Sequence, residues 1–311
     1  MNQTGAKLQE TRMDEMGASF VEVTAHGGAR PSHAVWQGRR YHRGGAVDYL
    51  GQHYEDFESA TGYGTGAGLC GWNCRHTFFV VFPELGSPPA WTQESLEALN
   101  ARDIEYDGRL YTRYEISQMQ RARERAVRKW KRRYLAEDAA GADTTASAMK
   151  LRQARQSLAD FTRATGGRVD SARTSVHGFG RSASSKASYA ARKQEQFNAA
   201  NTELQQMREA GTIKAKGRLI ESPSAPNEIN FASDHVLQRW AERGMGPMDA
   251  ERIIRSSKVA MSQRNGTQTC YYSELGFVAI GQDGNVSSIG PLDEGGKKLM
   301  EVVKKHGIPH S

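Results

Sequence analysis

Residues 20–24, Phe-Val-Glu-Val-Thr, alternate apolar and polar positions and predict a strand. Residues 77–82, Thr-Phe-Phe-Val-Val-Phe, form an unbroken apolar run of strand length and predict a buried strand. Pro83 ends that run, and a turn follows at residues 86–89. Residues 1–20 are polar and mixed, with a short helix expected over 8–16, and helical spacing of apolar and aromatic residues marks 47–57 as another. Residues 92–100 read as another, with Thr92 as N-cap and Glu94 in the first turn. Asp107-Gly108 marks a turn.

From 111 to 138 there is no Pro or Gly and good helix formers dominate, so one long helix is expected. A second helix, 144–165, carries the apolar stripe Leu151, Ala154, Leu158 and Phe161 and stops at Gly166-Gly167. The pair reads as an αα-hairpin across Gly141. Residues 168–188, rich in Ser, Gly, Arg and Lys, read as a basic loop or arm, and 195–210 as a helix. Pro223-Ser-Ala-Pro226 reads as a linker.

Beyond it the pattern changes. Ser233 or Asp234 can cap a helix running to Arg243, with Val236, Leu237 and Trp240 on one face. A helix over 248–256 is followed by strands over 258–264, 269–272, 277–281 and 285–289. Asn265-Gly266 and Asp283-Gly284 supply hairpin turns, and a last helix covers 295–306. The expected fold class is α+β, with a loop-rich domain over 1–110, a basic helical hairpin and linker over 111–222, and a small α+β domain over 227–311.

Composition narrows the function. The 311 residues are 38% hydrophobic and 25% charged, so part of the length should be extended helix or linker. A net charge of +7 favours nucleic acid or an acidic surface as partner over plain solubility charge. Three cysteines argue against a secreted disulfide scaffold. No apolar run is long enough for a membrane span, and the first residues do not read as a signal peptide. Glycines at 62, 64, 66 and 68 resemble a phosphate cradle, but no Lys-Ser/Thr follows, so a tight turn or close backbone approach is expected.

Two stretches have neither the helix nor the strand period. Residues 29–38 hold Arg30, Pro31, His33, Trp36, Gln37 and Gly38. Residues 68–76 hold Cys70, Gly71, Trp72, Asn73, Cys74, Arg75 and His76. Trp36 and Trp72 read as core anchors of ordered loops, and since neither loop can bury its Trp alone, the two are expected to meet. In order and spacing these stretches, with the Tyr-Glu…Gln-x-Gln-Arg segment from Tyr114 to Lys131, resemble the tailed-phage minor capsid protein 2 family, over residues 17–190. That resemblance implies a structural part in head morphogenesis, at the portal vertex or capsid interior. It implies portal or major capsid protein and phage DNA as partners, and a place in the virion after assembly in the host cytoplasm.

Three kinds of chemistry are open. Cys70, Cys74 and His76, with His33 or His26, could bind zinc, although Cys-x3-Cys-x-His is not a usual zinc spacing. A buried thiol pair with a hydrogen-bonded histidine is the alternative; a Cys–His nucleophilic pair is disfavoured because nothing in the sequence places another base beside the thiol. Arg121, Arg125, Arg128, Lys129, Arg132 and Arg133 repel one another at i, i+4 on the long helix, which a phosphate or carboxylate partner would relieve. A solvated helix face is the plain alternative. The C-terminal segment resembles the barnase/EndoU/colicin/RelE-like toxin ribonucleases, which implies RNA and an immunity protein as partners. His235, Arg239 and Arg243 share a helix face there, and Arg264, Tyr271 and Ser288 on the strands could face them as a metal-free site, with His306 or His310 as the histidine that would partner His235.

Overall fold

The computed structural model describes residues 2–226, 228–231 and 234–309, the side chains at 2, 234–236 and 239 excepted. Helix accounts for 48% and strand for 18%, so the fold class is α+β. The chain divides into two compact units, residues 1–129 with 153–175, and residues 130–152 with 176–311.

The first unit opens with α1 (Asn2–Met16) and β1 (Phe20–Val23), then α2 (Pro31–Ala34), β2 (Arg40–His42), β3 (Val47–Tyr49), β4 (Gln52–Asp56), α3 (Phe57–Thr61) and β5 (Phe78–Val80). Its sheet runs β3-β4-β2-β1-β5, and only the β2–β4 pairing is parallel. Val21, Val23, Tyr41, Phe57 and Phe78 fill the core beneath Ala6 and Met13 of α1. Glu22 is buried there, held 2.7 Å from the Arg40 guanidinium and accepting from the Ala90 amide. A lone carboxylate at that depth would be costly, so the pair and the amide belong together.

The predicted helix over 47–57 is instead the β3–β4 hairpin. Leu50 and Gly51 take positive φ, 51° and 78°, the pattern of the two-residue turn that matches strand twist. Tyr49 and Tyr54 then pack their rings against Phe20 of β1, Tyr54 edge-on.

After α4 (Gln93–Asn100), capped by Thr92 as expected, β6 (Arg102–Tyr106) and β7 (Arg109–Thr112) form a hairpin about Asp107-Gly108. The long helix α5 (Arg113–Ala139) and α6 (Thr145–Ala164) follow, with Gly141 at φ 65° between them, then α7 (Ser171–Thr174).

The second unit contains α8 (Arg181–Glu209), which begins well before the expected 195. No Gly or Pro interrupts 181–209, and Ala187, Ala191, Phe197, Ala200 and Leu204 form its buried face. The basic arm is therefore helical in its second half. Next come β8 (Arg218–Glu221), α9 (Asp234–Glu242), α10 (Pro247–Ser256), β9 (Val259–Gln263), β10 (Gln268–Ser273), β11 (Gly276–Gly281), β12 (Val286–Gly290) and α11 (Glu294–Lys305). The sheet is an antiparallel ladder, β12-β11-β10-β9-β8. One face packs Leu204 of α8 and Leu299 and Val303 of α11 against Met261 and Cys270. The other packs Trp240 of α9 and Ile253 of α10 against Ala260, Tyr271 and Val278. β8 was not expected, and it brings a strand from before the linker into this sheet. Ser233, one of the two expected caps of α9, and His310 lie outside the described residues.

Candidate functional site

The site is built by a chain that folds tightly on itself. Asp56 caps α3 through the Ser59 amide, and Gly62 leaves the helix at φ 63°. A Cβ on Gly68 would lie 1.9 Å from the Gly62 carbonyl oxygen, and one on Gly71 2.4 Å from that of Gly66. Only glycine fits such an approach, as the glycine spacing suggested. The loop turns Cys74 and His76 inward and Trp72 outward. Trp72 is 75% exposed, its ring over Gly66, so it is not the core anchor expected; Trp36, 5% exposed, is one.

The two loops meet. The Arg30 guanidinium donates to the carbonyls of Ala67 (3.0 Å) and Trp72 (3.3 Å). Pro31 starts α2 at the position where a missing N–H costs nothing, and α2 delivers His33 into the core. Gln37 is fully buried; its Oε1 accepts from the His26 amide and lies 2.9 Å from His76 Nε2, while its amide donates to Asn100. Gly38 turns the chain at φ 70°.

His33, Cys74 and His76, all buried, bring one ligand atom each within 4.8 Å of one another. Cys74 Sγ lies 3.7 Å from His33 Nδ1 and 3.5 Å from His76 Nδ1. Residues two apart on a non-helical segment share a face, so Cys74 and His76 point the same way after the Asn73 turn at φ 54°. Cys70 stands apart: its thiol donates to the His76 carbonyl, and burial pushes its pKa up to about 12. Burial pushes His76 down to about 3, with His26, His33, Arg75 and Arg30 adding to it. Burial likewise lowers His33, with Arg30 and His26 contributing. Both rings are neutral at pH 7. His33 Nε2 lies 2.7 Å from Arg30 Nε and 2.9 Å from the Ala67 carbonyl, and a neutral ring can satisfy only one of them at a time. His26 stacks on His76 at 4.3 Å, and its Nε2 is buried with no hydrogen-bond partner among the described residues.

This cluster borders a cleft of about 360 Å³. Arg30, Arg75, Arg121 and Arg173 line it, with Tyr114, Ser117 and Gln118 of α5. Four guanidiniums around one opening make it attractive to anions. The sequence by itself puts Arg121 on a general basic face and does not link Tyr114, Gln118 and Arg121 to the loops. Their i, i+4, i+7 spacing on one helix face was the available signal.

A family model described as phage minor capsid protein 2 matches residues 1–163. The chain belongs to that family. Its role is therefore structural, in the phage head. The match takes in α1, both loops and α6, so it begins earlier and ends sooner than the span 17–190 read from the motifs. Neither the curated proteins nor the solved structures compared with the chain give a match. No helix among the described residues is long and apolar enough to cross a membrane.

The remaining candidates of this minor capsid chain are dispersed. On α5, Arg125, Lys129 and Arg132 are exposed. Arg128 donates to the Arg173 carbonyl, and Arg133 pairs with Glu137. In the second unit, the side chains of His235 and Arg239 lie outside the description. Tyr271 is 2% exposed, and its hydroxyl donates to the Ser224 carbonyl at 3.4 Å. Ser288 pairs with Ala279 and so shares the α8–α11 face of the sheet, opposite to Tyr271 and α9. The two cannot both face α9. Arg243 donates to the Ile289 carbonyl, and Arg264 sits exposed in the β9–β10 turn at φ 49°. His306 lies 2.8 Å from Glu203 of α8, on the face away from α9.

Proposed function

We propose that this head protein works at the portal vertex or on the capsid interior, with α5 directed at packaged DNA. The observation that supports this is the exposure of Arg125 and Lys129 on α5, inside the segment that matches the family. Lysine and arginine on an accessible helix meet phosphates without reading sequence. Partner contacts with portal or major capsid protein belong to the same reading. The test is mass spectrometry of purified virions, combined with protein–DNA crosslinking and protease treatment of intact particles. Peptides from both units should be present, protected from protease, with crosslinks on α5. Absence from particles, or complete digestion from outside, would remove the interior placement. A ribonuclease role for the C-terminal segment, with RNA and an immunity protein as partners, rests on resemblance, and no position of a described residue favours it.

A further inference from the structure

We propose that His33, Cys74 and His76 hold one zinc ion through Nδ1, Sγ and Nδ1, with the fourth position open to the arginine-lined cleft. Zinc bound at about 2.3 Å to sulfur and about 2.0–2.1 Å to nitrogen, in tetrahedral geometry, sets sulfur and nitrogen about 3.5 Å apart. The observed separations are 3.5 and 3.7 Å. The far ring nitrogens are already held. His76 Nε2 faces Gln37 Oε1 at 2.9 Å, and His33 Nε2 faces the Ala67 carbonyl at 2.9 Å and Arg30 Nε at 2.7 Å, so the zinc-binding tautomer of His33 requires Arg30 Nε to turn from the ring. An N–H on each would donate to that oxygen and leave both Nδ1 lone pairs free beside Cys74 Sγ; metal-bound histidines are held by such an acceptor at the far nitrogen. On binding, the Cys74 proton leaves to solvent and the thiolate becomes the ligand.

Cys70 is excluded from the ligand set, because its sulfur lies outside the cluster of converging ligand atoms. Four protein ligands would give a closed structural site; three leave a position for water or a small anion. One thiolate against a divalent ion leaves a net positive centre. With Arg30, Arg75, Arg121 and Arg173 around the cleft, the fourth ligand should be anionic. The ion would tie the loop at 29–38 to the loop at 68–76, adding to the Arg30 and Gln37 hydrogen bonds and the contacts of the Trp36 and His33 rings with His76.

The test uses the untagged full-length chain, purified under reducing conditions, stripped with a chelator and reloaded with zinc or cobalt. The expected result is one zinc per chain. The cobalt form should show the intense visible bands of four-coordinate geometry and a near-ultraviolet thiolate band. Cys74→Ser should abolish the thiolate band and cut zinc affinity at least about tenfold, while Cys70→Ser keeps both. Gln37→Leu should weaken zinc by about 10–100-fold through loss of the His76 acceptor. Inorganic phosphate added to the cobalt form should shift the visible bands. Folded wild-type chain that takes up no zinc, or a pale six-coordinate cobalt spectrum, overturns the site. Equal loss in Cys70→Ser and Cys74→Ser overturns the ligand set, and bands indifferent to phosphate overturn the open position. The cobalt spectrum is read on the wild type, so a variant that fails to fold does not remove the test.

Discussion

Cutting the chain at the apparent linker should destroy the C-terminal fold. A fragment of residues 227–311 keeps β9 to β12 and α9 to α11 but loses α8 and β8. With them go Phe197, Leu204, Ile213 and Leu219, each between 0% and 7% exposed in the core under the sheet. Full burial of such side chains stabilises by about 1.5–3 kcal/mol each, so the loss is roughly 6–12 kcal/mol, an upper figure because unfolded chains are partly compact. A domain's whole stability is about 5–15 kcal/mol. The cut also turns β9 into a bare edge, since four of its residues pair with β8. The fragment 227–311 should therefore bind a hydrophobic dye, lack near-ultraviolet dichroism and unfold in urea without a cooperative step. A fragment of residues 176–311 should unfold cooperatively. If both fragments give sharp transitions with the same midpoint, β8 and α8 are not part of that core and the reasoning fails.

Gly68→Ala should destabilise by about 1–3 kcal/mol or more, because its Cβ would meet the Gly62 backbone at 1.9 Å; Gly5→Ala, with nothing within 4 Å, is the control in the same denaturation series. Lys305 and His306 hold Glu203 below the ordinary carboxylate range, so this group stabilises the fold above the unfolded pKa of 4.5, and that stabilisation is lost as pH falls through the lowered folded value. Glu203→Gln should flatten the acid limb of the stability–pH curve, and an unchanged limb would show that the cluster contributes nothing. Arg125→Gln with Lys129→Gln should weaken non-specific DNA binding and lower the salt slope by up to about 2, read by fluorescence anisotropy; an unaltered slope points to a protein partner. Arg128 is left intact in that variant, since it braces the Arg173 carbonyl.

Elements governed by local rules were legible from the chain alone. The absence of Pro and Gly fixed α5, the stripe through Leu151 and Leu158 gave α6, Thr92 gave the start of α4, and Asp107-Gly108 its turn. The family motif, too, was carried by contiguous residues. Tertiary pairing decided the rest. Residues 47–57 satisfy a helical pattern, yet the Leu50-Gly51 turn and the aromatic contacts of Tyr49 and Tyr54 with Phe20 make a hairpin. β8 is short, and its strand character comes from pairing with β9, distant in sequence. Trp72 has the composition of an anchor and points outward, because the backbone contact of Gly68 with Gly62 sets the loop's direction. Ser288 and Tyr271 looked able to converge until strand register placed them on opposite faces. His33 and His76 are separated by most of the first sheet, and a histidine's spacing from a distant cysteine carries no geometric information. Sequence determines what a residue can do within a turn or two of its neighbours; which chemical groups share one small volume follows from close packing of segments far apart in the chain.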